Sequence, residues 1–300
     1  MAEPLVIGVD VGGTKIAVGL VDAGGTVRER RELQTPASQA ALFEAIDGGV
    51  ADLVDDSVAA LGIGVPTRID RETGRTVGSA VNTPLAEVDL DDRFRERFGL
   101  PVGVVNDANA ATFAEWRFGA GAGTRSMVML TLGTGVGGGF VLGGSLYRGW
   151  AEIGHIVVEH DGPPCQGTCT GRGHLEAFAS GTAVSALARE AFGPKADARS
   201  LVELAEDGDE CAVGILREVG RKLGSGIGSL VNLFDPELVV VGGGFSAAGD
   251  FILEPAREVV RREALAPAGD RVRVVRAKLG AGAGLVGAAL VGYEALAAAR

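Results

Sequence analysis

The apolar positions of the chain fall into short runs that end at glycines. Leu5–Val11 leads into Gly12-Gly13, and a second apolar run follows up to Val21. Two apolar runs joined by a glycine turn predict a β-hairpin. Met127–Leu132 and Val136–Leu142 repeat this plan around a Gly-Thr-Gly turn. Two such hairpins, about 120 residues apart, predict a duplicated domain with a phosphate-binding turn in each half.

The first turn carries residue types that suit a metal-bound phosphate. Since side chains alternate between the two faces of a strand, Gly8 and Asp10 share one face, where a carboxylate beside a bare glycine suits Mg²⁺ and its waters. The amides of Gly12-Gly13 and the Thr14 hydroxyl suit phosphate oxygens. A plain hairpin in which a buried Asp10 caps the turn is the alternative. Neither turn continues into a helix after G-x-G-x-x-G, which disfavours a dinucleotide fold.

A third glycine cluster ends another apolar run. Leu238–Val241 predicts a buried strand, and Gly242, Gly243 and Gly244 follow it directly. Three glycines at the carboxyl end of a strand allow a flat ring such as adenine to lie against the backbone. A tight strand-to-helix turn explains the same pattern equally well.

Composition narrows the class of protein. The chain has 300 residues, of which 46% are hydrophobic, so it can form two domains with a substantial core. Its net charge of −11 argues against a nucleic-acid groove. The first apolar run is broken by Asp10, so we expect no signal peptide. We also expect no membrane span, and we expect the protein to be cytoplasmic.

A carboxylate follows the short apolar run Val102–Val105. Asn106 and Asp107 come next, and the segment after them has helical character, so one of the two falls at a helix N-terminus. An N-cap is the simpler interpretation. The functional one is a carboxylate at the end of a strand that accepts a proton from a substrate hydroxyl as its oxygen attacks phosphorus. The two phosphate turns favour the second interpretation.

The scarcest residues of the chain are concentrated in one segment. All three histidines and two of the three cysteines lie between His155 and His174. An odd and small number of cysteines predicts no disulfide framework. His155, Cys165, Cys169 and His174 form a ligand set that tetrahedral zinc accepts, and four protein ligands make such a site structural. The alternative is an oxidation-prone cysteine pair in a surface loop with histidines nearby.

Taken together, these motifs resemble the ROK family (repressor, open reading frame, kinase) of the actin-like/hexokinase ATPase superfamily, and within it the bacterial ATP-dependent glucokinases. The resemblance covers nearly the whole chain. It rests on Asp10–Lys15, Gly64-Val65-Pro66, Asn82, Asn106-Asp107, Gly133–Gly139, Glu152–His155, Cys165–Glu176 and Gly242–Gly244.

The resemblance implies a fold, a reaction and a set of residue roles. The implied fold is a two-lobed α/β structure, a duplicated ribonuclease H-like domain with a central cleft: a small lobe over 1–109 with a C-terminal helix at about 285–300, and a large lobe over 110–284 with the zinc site. The implied reaction transfers the γ-phosphoryl of ATP to the 6-hydroxyl of glucose.

Particular residues resemble those with known roles in the family. Asp107 resembles the catalytic base. The residues that resemble sugar ligands are Asn82, Asn106, Asp107, Glu152, His155 and Glu176. Those placed around the Mg²⁺ and phosphates of ATP are Asp10, Gly12, Gly13, Thr14, Lys15, Thr134, Gly135 and Gly137. His155 is expected to serve twice, with one ring nitrogen on zinc and the other facing the sugar.

The chain departs from the family pattern in three places. The usual C-x-C-G-x-x-G-C-x-E has become Cys165-x-x-x-Cys169 with His174 in place of the last cysteine. We expect zinc to survive with this changed ligand set, with Cys165 as the least secure ligand. Thr67 and Ala151 stand where the family commonly has glycine, and both changes are expected to bear on which sugar is accepted.

The resemblance leaves several alternatives open. N-acetylmannosamine, fructose or allose kinases and polyphosphate-using glucokinases share these motifs, although Lys15 favours the ATP-dependent branch. A sugar-responsive repressor is the rival from another class, but the first strand begins by Leu5, so we expect no DNA-binding helix-turn-helix before it. The expected partners are a sugar and ATP, with no nucleic acid or membrane, in a homodimer or homotetramer.

Overall fold

The structure is a computed structural model that describes residues 3–70, 73–78 and 83–300. Its strands are β1 (Leu5–Val11), β2 (Lys15–Val21), β3 (Val27–Gln34), β4 (Val58–Val65), β5 (Arg68–Ile69), β6 (Thr76–Val77), β7 (Val102–Asn106), β8 (Met127–Leu132), β9 (Val136–Leu142), β10 (Ser145–Leu146), β11 (Leu238–Gly242) and β12 (Arg273–Arg276). Its α-helices are α1 (Gln39–Ala51), α2 (Leu90–Phe98), α3 (Asp107–Phe118), α4 (Glu176–Ala179), α5 (Gly181–Phe192), α6 (Ala198–Glu206), α7 (Glu210–Phe234), α8 (Asp250–Glu263), α9 (Ala268–Arg271) and α10 (Ala283–Ala298). Short 3₁₀ helices span Ile153–His155, Gly244–Ala248 and Gly280–Gly282.

The chain forms two compact units. Unit 1 comprises Met1–Gly119, Leu146–Trp150 and Ala281–Arg300, and unit 2 comprises Ala120–Ser145 and Ala151–Gly280. The boundary expected after residue 109 would divide α3. The observed boundary follows Gly119, because the whole of α3 belongs to unit 1 and packs on α10. The C-terminal helix expected at 285–300 begins slightly earlier, at Ala283.

Both units contain a sheet of the same design. Among the described residues, the sheet of unit 1 has the order β3-β2-β1-β4-β7, and the second has the order β10-β9-β8-β11-β12. In the first, β2 runs antiparallel to β1, while β4 and β7 continue in parallel. In the second, β9 runs antiparallel to β8, while β11 and β12 continue in parallel. The predicted duplication is therefore confirmed at the level of strand order and sense.

The two faces of the first sheet are packed differently. Ile7 and Val9 belong to a core cluster with Leu42 and Ile46 of α1 and with Phe94 of α2. The opposite face carries glycines at its centre, where Gly8 pairs with Gly19 on one side and with Gly62 on the other. Gly62 in turn pairs with Gly103. A row of bare glycines therefore crosses four neighbouring strands.

Helix α10 lies against this glycine row. A Cβ added to Gly62 would lie 1.8 Å from the Ala288 carbonyl oxygen, and one added to Gly8 would lie 2.4 Å from that of Leu285. Gly287 allows a similar approach on the other side of the helix, where an added Cβ would lie 1.8 Å from the Ala110 carbonyl oxygen. Since these distances leave no room for a methyl group, glycine is required for the contact between helix and sheet.

Within the described part of the chain, one segment has the length and apolar character of a membrane span. It is Gly280–Ala298, which contains α10, and half of its apolar window is buried within the structure. Its contacts with β1, β4 and β7 make it the central helix of unit 1. A helix that packs on a sheet and on a second helix is apolar around most of its circumference for that reason.

The core of unit 2 joins its sheet to several helices. Val128, Leu130 and Val239 of the sheet belong to one buried cluster with Leu223 of α7 and Ile252 of α8. The buried strand expected at Leu238–Val241 is observed, extended to Gly242. This packing fixes the ends of β8 and β11, where the second and third glycine clusters lie.

Candidate functional site

The first glycine turn of unit 1 is closed by its own backbone and held by Thr35. The Gly12 amide donates to the Lys15 carbonyl at 2.8 Å, and the Thr35 amide donates to the Thr14 carbonyl at 3.1 Å. The Thr35 hydroxyl donates to the Gly12 carbonyl at 2.7 Å. Gly13, Thr14 and Lys15 are exposed. The turn is therefore fixed in shape while its outer residues remain accessible to an anion.

Lys15 has a carboxylate partner. Its Nζ lies 3.2 Å from Oε2 of Glu32, a residue of β3, and both side chains are largely exposed. An exposed pair of this kind contributes little to stability, so the ammonium group can exchange partners readily. A phosphate bound at the turn would compete with Glu32 for Lys15.

Asp10 is a half-buried acid at the end of β1. Its carboxylate lies against the N-terminal turn of α10, where a Cβ added to Gly284 would lie 2.3 Å from Oδ2. Burial raises the pKa of Asp10 to about 6, while the positive charge of Arg30 opposes the rise. Burial of a carboxylate disfavours its charged form unless a cation compensates. A cation bound beside Asp10 would stabilise its charged form, and the role of Asp10 at Mg²⁺ stays a prediction.

Asn106 and Asp107 stand where β7 passes directly into α3. Asn106 is the N-cap of α3: its Oδ1 accepts hydrogen bonds from the amides of Ala108 (3.0 Å) and Asn109 (3.2 Å). Its Nδ2 donates to the Thr67 carbonyl at 3.3 Å. The N-cap interpretation of Asn106 is thus correct, and most of its hydrogen-bonding capacity is used within unit 1.

Asp107 is the first residue of α3. Its Oδ1 accepts a hydrogen bond from the Ala108 amide at 2.8 Å. A carboxylate in this place also faces the positive end of the helix dipole. The junction of β7 and α3 therefore places a carboxylate at the carboxyl end of a strand.

The second glycine turn lies in unit 2, between β8 and β9. The Gly133 amide donates to the Gly135 carbonyl at 2.9 Å, and the Gly181 amide donates to the Gly133 carbonyl at 2.7 Å. The Thr182 hydroxyl donates to the Thr134 carbonyl at 2.7 Å. Gly181 and Thr182 open helix α5, so the start of this helix holds the turn from outside. Gly137 lies beyond the turn, within β9.

Four residues of unit 2 bring metal-binding atoms together. One ligand atom from each of His155, Cys165, Cys169 and His174 lies within 4.8 Å of the others. The Nδ1 atoms of the two histidines are 3.2 Å apart. Each histidine has one cysteine beside its Nδ1 at 3.6 Å, Cys165 at His155 and Cys169 at His174.

These distances agree with a tetrahedral zinc site. Zn–N bonds of about 2.0–2.1 Å and Zn–S bonds of about 2.3 Å place two nitrogens about 3.3–3.4 Å apart, and a nitrogen and a sulfur about 3.6 Å apart. Gly171 makes room for one ligand, since an added Cβ would lie 2.3 Å from Cε1 of His174. Burial raises the pKa of the Cys165 thiol to about 11, and Cys169 and Glu176 add to the rise. A bound cation would offset that cost, so the donor set fits zinc.

The residues flanking this cluster differ in their surroundings. His155 turns Nδ1 toward the cluster, which leaves Nε2 for a second partner. Glu152 is exposed and precedes the 3₁₀ helix Ile153–His155. His160 is exposed over 94% of its side chain and stands apart from the cluster. Asn82 lies outside the described residues, so its role stays a prediction.

Glu176 contacts the second glycine turn. Its Oε2 accepts a hydrogen bond from the Val136 amide at 2.8 Å. A Cβ added to Gly135 would lie 2.3 Å from the same oxygen. The family resemblance implies a sugar ligand at Glu176, whereas this second contact is not predicted, because nothing in the spacing links residue 176 to residue 136.

The third glycine cluster, Gly242–Gly244, packs in part against β8. Gly243 has φ +82°, and a Cβ added to it would lie 2.4 Å from the Leu132 carbonyl oxygen. One added to Gly242 would lie 2.9 Å from Cε of Met129. Gly244 has nothing within 4 Å of the position of its missing Cβ. The close approach of the Leu132 backbone thus requires glycine at Gly243, whereas a Cβ at Gly242 would displace only the flexible end of the Met129 side chain, and Gly244 has open space beside it.

A model of the family described as "ROK family" matches residues 6–294. The chain belongs to the ROK family. Glucokinase from Streptomyces coelicolor is 38% identical over 97% of this chain and 98% of its own length. A solved ROK family glucokinase from Streptomyces griseus, in complex with glucose and AMPPNP, is 37% identical, with a TM-score of 0.83 over 97% of this chain and 99% of that one. A ROK hexokinase from Thermus thermophilus is 35% identical, with a TM-score of 0.83 over 98% and 99% of the two chains.

ROK membership confirms the expected two-lobed hexokinase-like fold, and the structure shows what two departures from the ROK pattern contact. Thr67 is buried, and its hydroxyl donates to the Val77 carbonyl at 3.4 Å. Because Asn106 bonds the main chain of Thr67, the extra side chain lies next to the start of α3. Ala151 is half-buried and packs against the core of unit 2. The third departure, the longer spacing between Cys165 and Cys169, still brings both sulfurs into the metal cluster.

Proposed function

We propose that this ROK protein is an ATP-dependent hexose kinase whose principal acceptor is glucose. The observation that carries the proposal is the position of Asp107, an acid at the junction of β7 and α3 with its Oδ1 fixed by the Ala108 amide. The relatives named above support the substrates, since one was solved with glucose and an ATP analogue.

Asp107 would act as the general base. Its carboxylate accepts the proton of the sugar 6-hydroxyl while that oxygen attacks the γ-phosphorus of ATP. The bond between the γ-phosphorus and the β–γ bridging oxygen breaks, and ADP leaves with the electron pair. Asn106 would orient this step chiefly through its N-cap bonds, which hold the first turn of α3, and through the remaining N–H of its side-chain amide.

The two glycine turns would bind the phosphates. Gly12–Lys15 and Thr134–Gly137 offer backbone amides and hydroxyl groups, and the bonds from Thr35 and Thr182 fix both turns before a ligand binds. Asp10 would hold Mg²⁺, which supplies charge neutralisation to the phosphates when bound. Gly244 would be the part of the third cluster that leaves space for a base.

Zinc would act as a structural ion in this protein. His155, Cys165, Cys169 and His174 would be its ligands, leaving no open coordination position for chemistry. His155 would direct Nε2 to a sugar hydroxyl, since its Nδ1 belongs to the cluster. The metal segment runs from His155 to His174. Glu152 and Glu176, on either side of it, would supply further hydrogen bonds to the sugar.

A coupled assay of ADP release tests the proposal. Purified protein with MgATP is given glucose, fructose, mannose, allose, N-acetylglucosamine and N-acetylmannosamine in parallel, and kcat/KM is compared. We expect glucose to give the highest value. Turnover dominated by another sugar would keep the kinase and transfer the specificity to Thr67 and Ala151. Absence of turnover with every sugar, with ATP and with polyphosphate alike, would reject the kinase.

A hexose kinase of broader specificity is the second candidate. The named ROK hexokinase from Thermus thermophilus is nearly as similar to this chain as the glucokinases. Thr67 favours this candidate, because it places a buried side chain next to Asn106 where glycine is common in the family. Values of kcat/KM for mannose or another hexose within about threefold of that for glucose would select it.

A further inference from the structure

In the metal segment of unit 2, the spacing between the first two cysteines is two residues longer than in the ROK pattern, and one of the residues between them makes specific hydrogen bonds. Gln166, Gly167 and Thr168 separate Cys165 from Cys169. Gln166 directs its side chain inward to helices α4 and α5. The amide Nε2 donates to the Glu176 carbonyl at 3.1 Å and also to the Ser180 hydroxyl. Both N–H groups of this amide are therefore in use.

The two acceptors lie at structurally important positions. Ser180 is fully buried, and its Oγ is the N-cap of α5, accepting the Ala183 amide at 3.1 Å. Glu176 is the first residue of α4. Gln166 thus joins the metal segment to the stretch that runs from the start of α4 at Glu176 to the N-cap of α5 at Ser180.

The same stretch holds the second glycine turn. Glu176 accepts the Val136 amide through Oε2 at 2.8 Å, and the Gly181 amide donates to the Gly133 carbonyl at 2.7 Å. The Thr182 hydroxyl donates to the Thr134 carbonyl. Gln166 therefore lies one hydrogen bond from the residues that shape the turn, and one peptide bond from the metal-binding Cys165.

We propose that Gln166 is a positioning residue that couples the metal segment to the phosphate turn Gly133–Val136 through Glu176 and Ser180. The metal site then shapes the binding of the phosphoryl donor as well as that of the sugar. This inference rests on the proposed function for the identity of the donor, MgATP. The coupling itself is a property of unit 2 and can be measured without substrate.

Hydrogen exchange of the substrate-free protein tests the coupling. The variants are Gln166→Ala and Gln166→Met; the second keeps the length of the side chain without a donor. Thr168→Ala, an exposed position in the same segment, is the matched control. We expect the Val136 amide to exchange at least about fivefold faster in both Gln166 variants, since losing one hydrogen bond shifts a local opening equilibrium by about that factor. The control should exchange like the wild type.

A kinetic measurement separates positioning from simple structural support. At saturating glucose, the KM for MgATP should rise at least about fivefold in both Gln166 variants and stay unchanged in Thr168→Ala, with the zinc content per chain the same in all. A bond that only supports the fold would lower the melting temperature and leave the KM for MgATP unchanged.

Two results would overturn the inference. One is wild-type exchange at Val136 in either folded Gln166 variant. The other is an unchanged KM for MgATP in both variants. If the wild type phosphorylates no sugar, the proposed function fails, and the exchange measurement alone still decides whether Gln166 couples the two segments.

Discussion

Asn106 uses its side chain to hold the helix that presents Asp107. Its Oδ1 caps two amides of α3, and its Nδ2 bonds the Thr67 carbonyl. At this position the interpretations as a cap and as a functional residue are compatible, because capping the helix is what fixes the neighbouring carboxylate. Asn106 fixes the start of the helix and Asp107 supplies the carboxylate, so a substitution at Asp107 tests the proposed base directly.

Asp107→Asn should lower kcat by about 10²–10⁴-fold, the usual contribution of a general base. Asparagine keeps the size of the side chain and an oxygen for the Ala108 amide, so the fold and the affinity for glucose should change little. Steady-state kinetics, with glucose binding followed by calorimetry, provide the measurement. A kcat within twofold of the wild type would remove Asp107 from the mechanism.

Asp10 makes the stability of unit 1 depend on pH. Burial raises its pKa from 3.8 to about 6, so the folded protein holds this proton more tightly than the unfolded chain does. The stabilising contribution of Asp10 is therefore complete below pH about 4 and is lost as the pH rises through about 6. Without divalent cations, Asp10→Asn should be more stable than the wild type at pH 8, by up to about 3 kcal/mol.

Urea unfolding from pH 4 to 8 measures this difference, which should shrink toward zero at the acid end. Asp22→Asn serves as the opposite control. Hydrogen bonds from backbone amides, that of Thr26 first, lower the pKa of Asp22. Its stabilising contribution is present at neutral pH and lost on acidification, so this variant should be less stable than the wild type at pH 8. A pH-independent difference for Asp10→Asn would contradict the assignment.

At the scale of elements, the contact between α10 and the first sheet depends on glycine. The Cβ of Gly62→Ala would lie 1.8 Å from the Ala288 carbonyl oxygen, so helix and sheet must separate. We expect a loss of about 3 kcal/mol or more in the free energy of unfolding. Gly48→Ala is the control, because Gly48 lies in the exposed interior of α1 with nothing within 4 Å. It should gain about 0.5–1 kcal/mol. Chemical denaturation of both variants checks the pair, and equal effects would contradict the packing argument.

The metal segment is the second element with a specific prediction. We expect the purified protein to carry one zinc ion per chain, and Cys169→Ser to lose most of it, since a hydroxyl is a poor zinc ligand. Sugar affinity should fall with the metal, because His155 loses its fixed orientation. Cys211→Ser, at an exposed cysteine outside the cluster, should keep the metal. Elemental analysis decides, and zinc retained in Cys169→Ser would show that the ligand set is wrong.

At the scale of the whole molecule, net charge separates the kinase from the repressor alternative. A protein with a net charge of −11 repels the phosphate backbone, and this repulsion is strongest at low salt. We expect no binding to DNA at about 50 mM salt, whereas a protein with a basic DNA-binding surface would bind most tightly there. A gel-shift experiment with genomic fragments, with and without glucose, is the measurement. A sugar-dependent shift at low micromolar protein would favour the regulator.

The duplication is also a property of the whole molecule. Each half of the chain carries a glycine-turned hairpin followed by two parallel strands, and each half folds into a sheet of the same order. The halves differ in what they add to this sheet. Unit 1 carries the acids Asp10 and Asp107, whereas unit 2 carries the metal cluster and Glu176.

The sequence by itself determined the hairpins, the buried strand before Gly242, the helix start at Asn106 and the candidate metal ligands His155, Cys165, Cys169 and His174. These features depend on neighbouring residues and on local periodicity, which a linear pattern records. The scarcity of histidine and cysteine made the metal cluster recognisable even though its spacing departs from the family pattern.

Only the tertiary structure decided the contacts between distant segments. The glycine row beneath α10, the packing of Asp10 against Gly284, and the hydrogen bonds that Glu176 accepts from Val136 and Ser180 accepts from Gln166 join residues that are separated in the chain. It also showed that glycine is required at Gly243, where the backbone of Leu132 approaches. Such contacts arise because packing minimises empty volume and satisfies buried polar groups across the fold, and one-dimensional patterning carries no record of which segments meet.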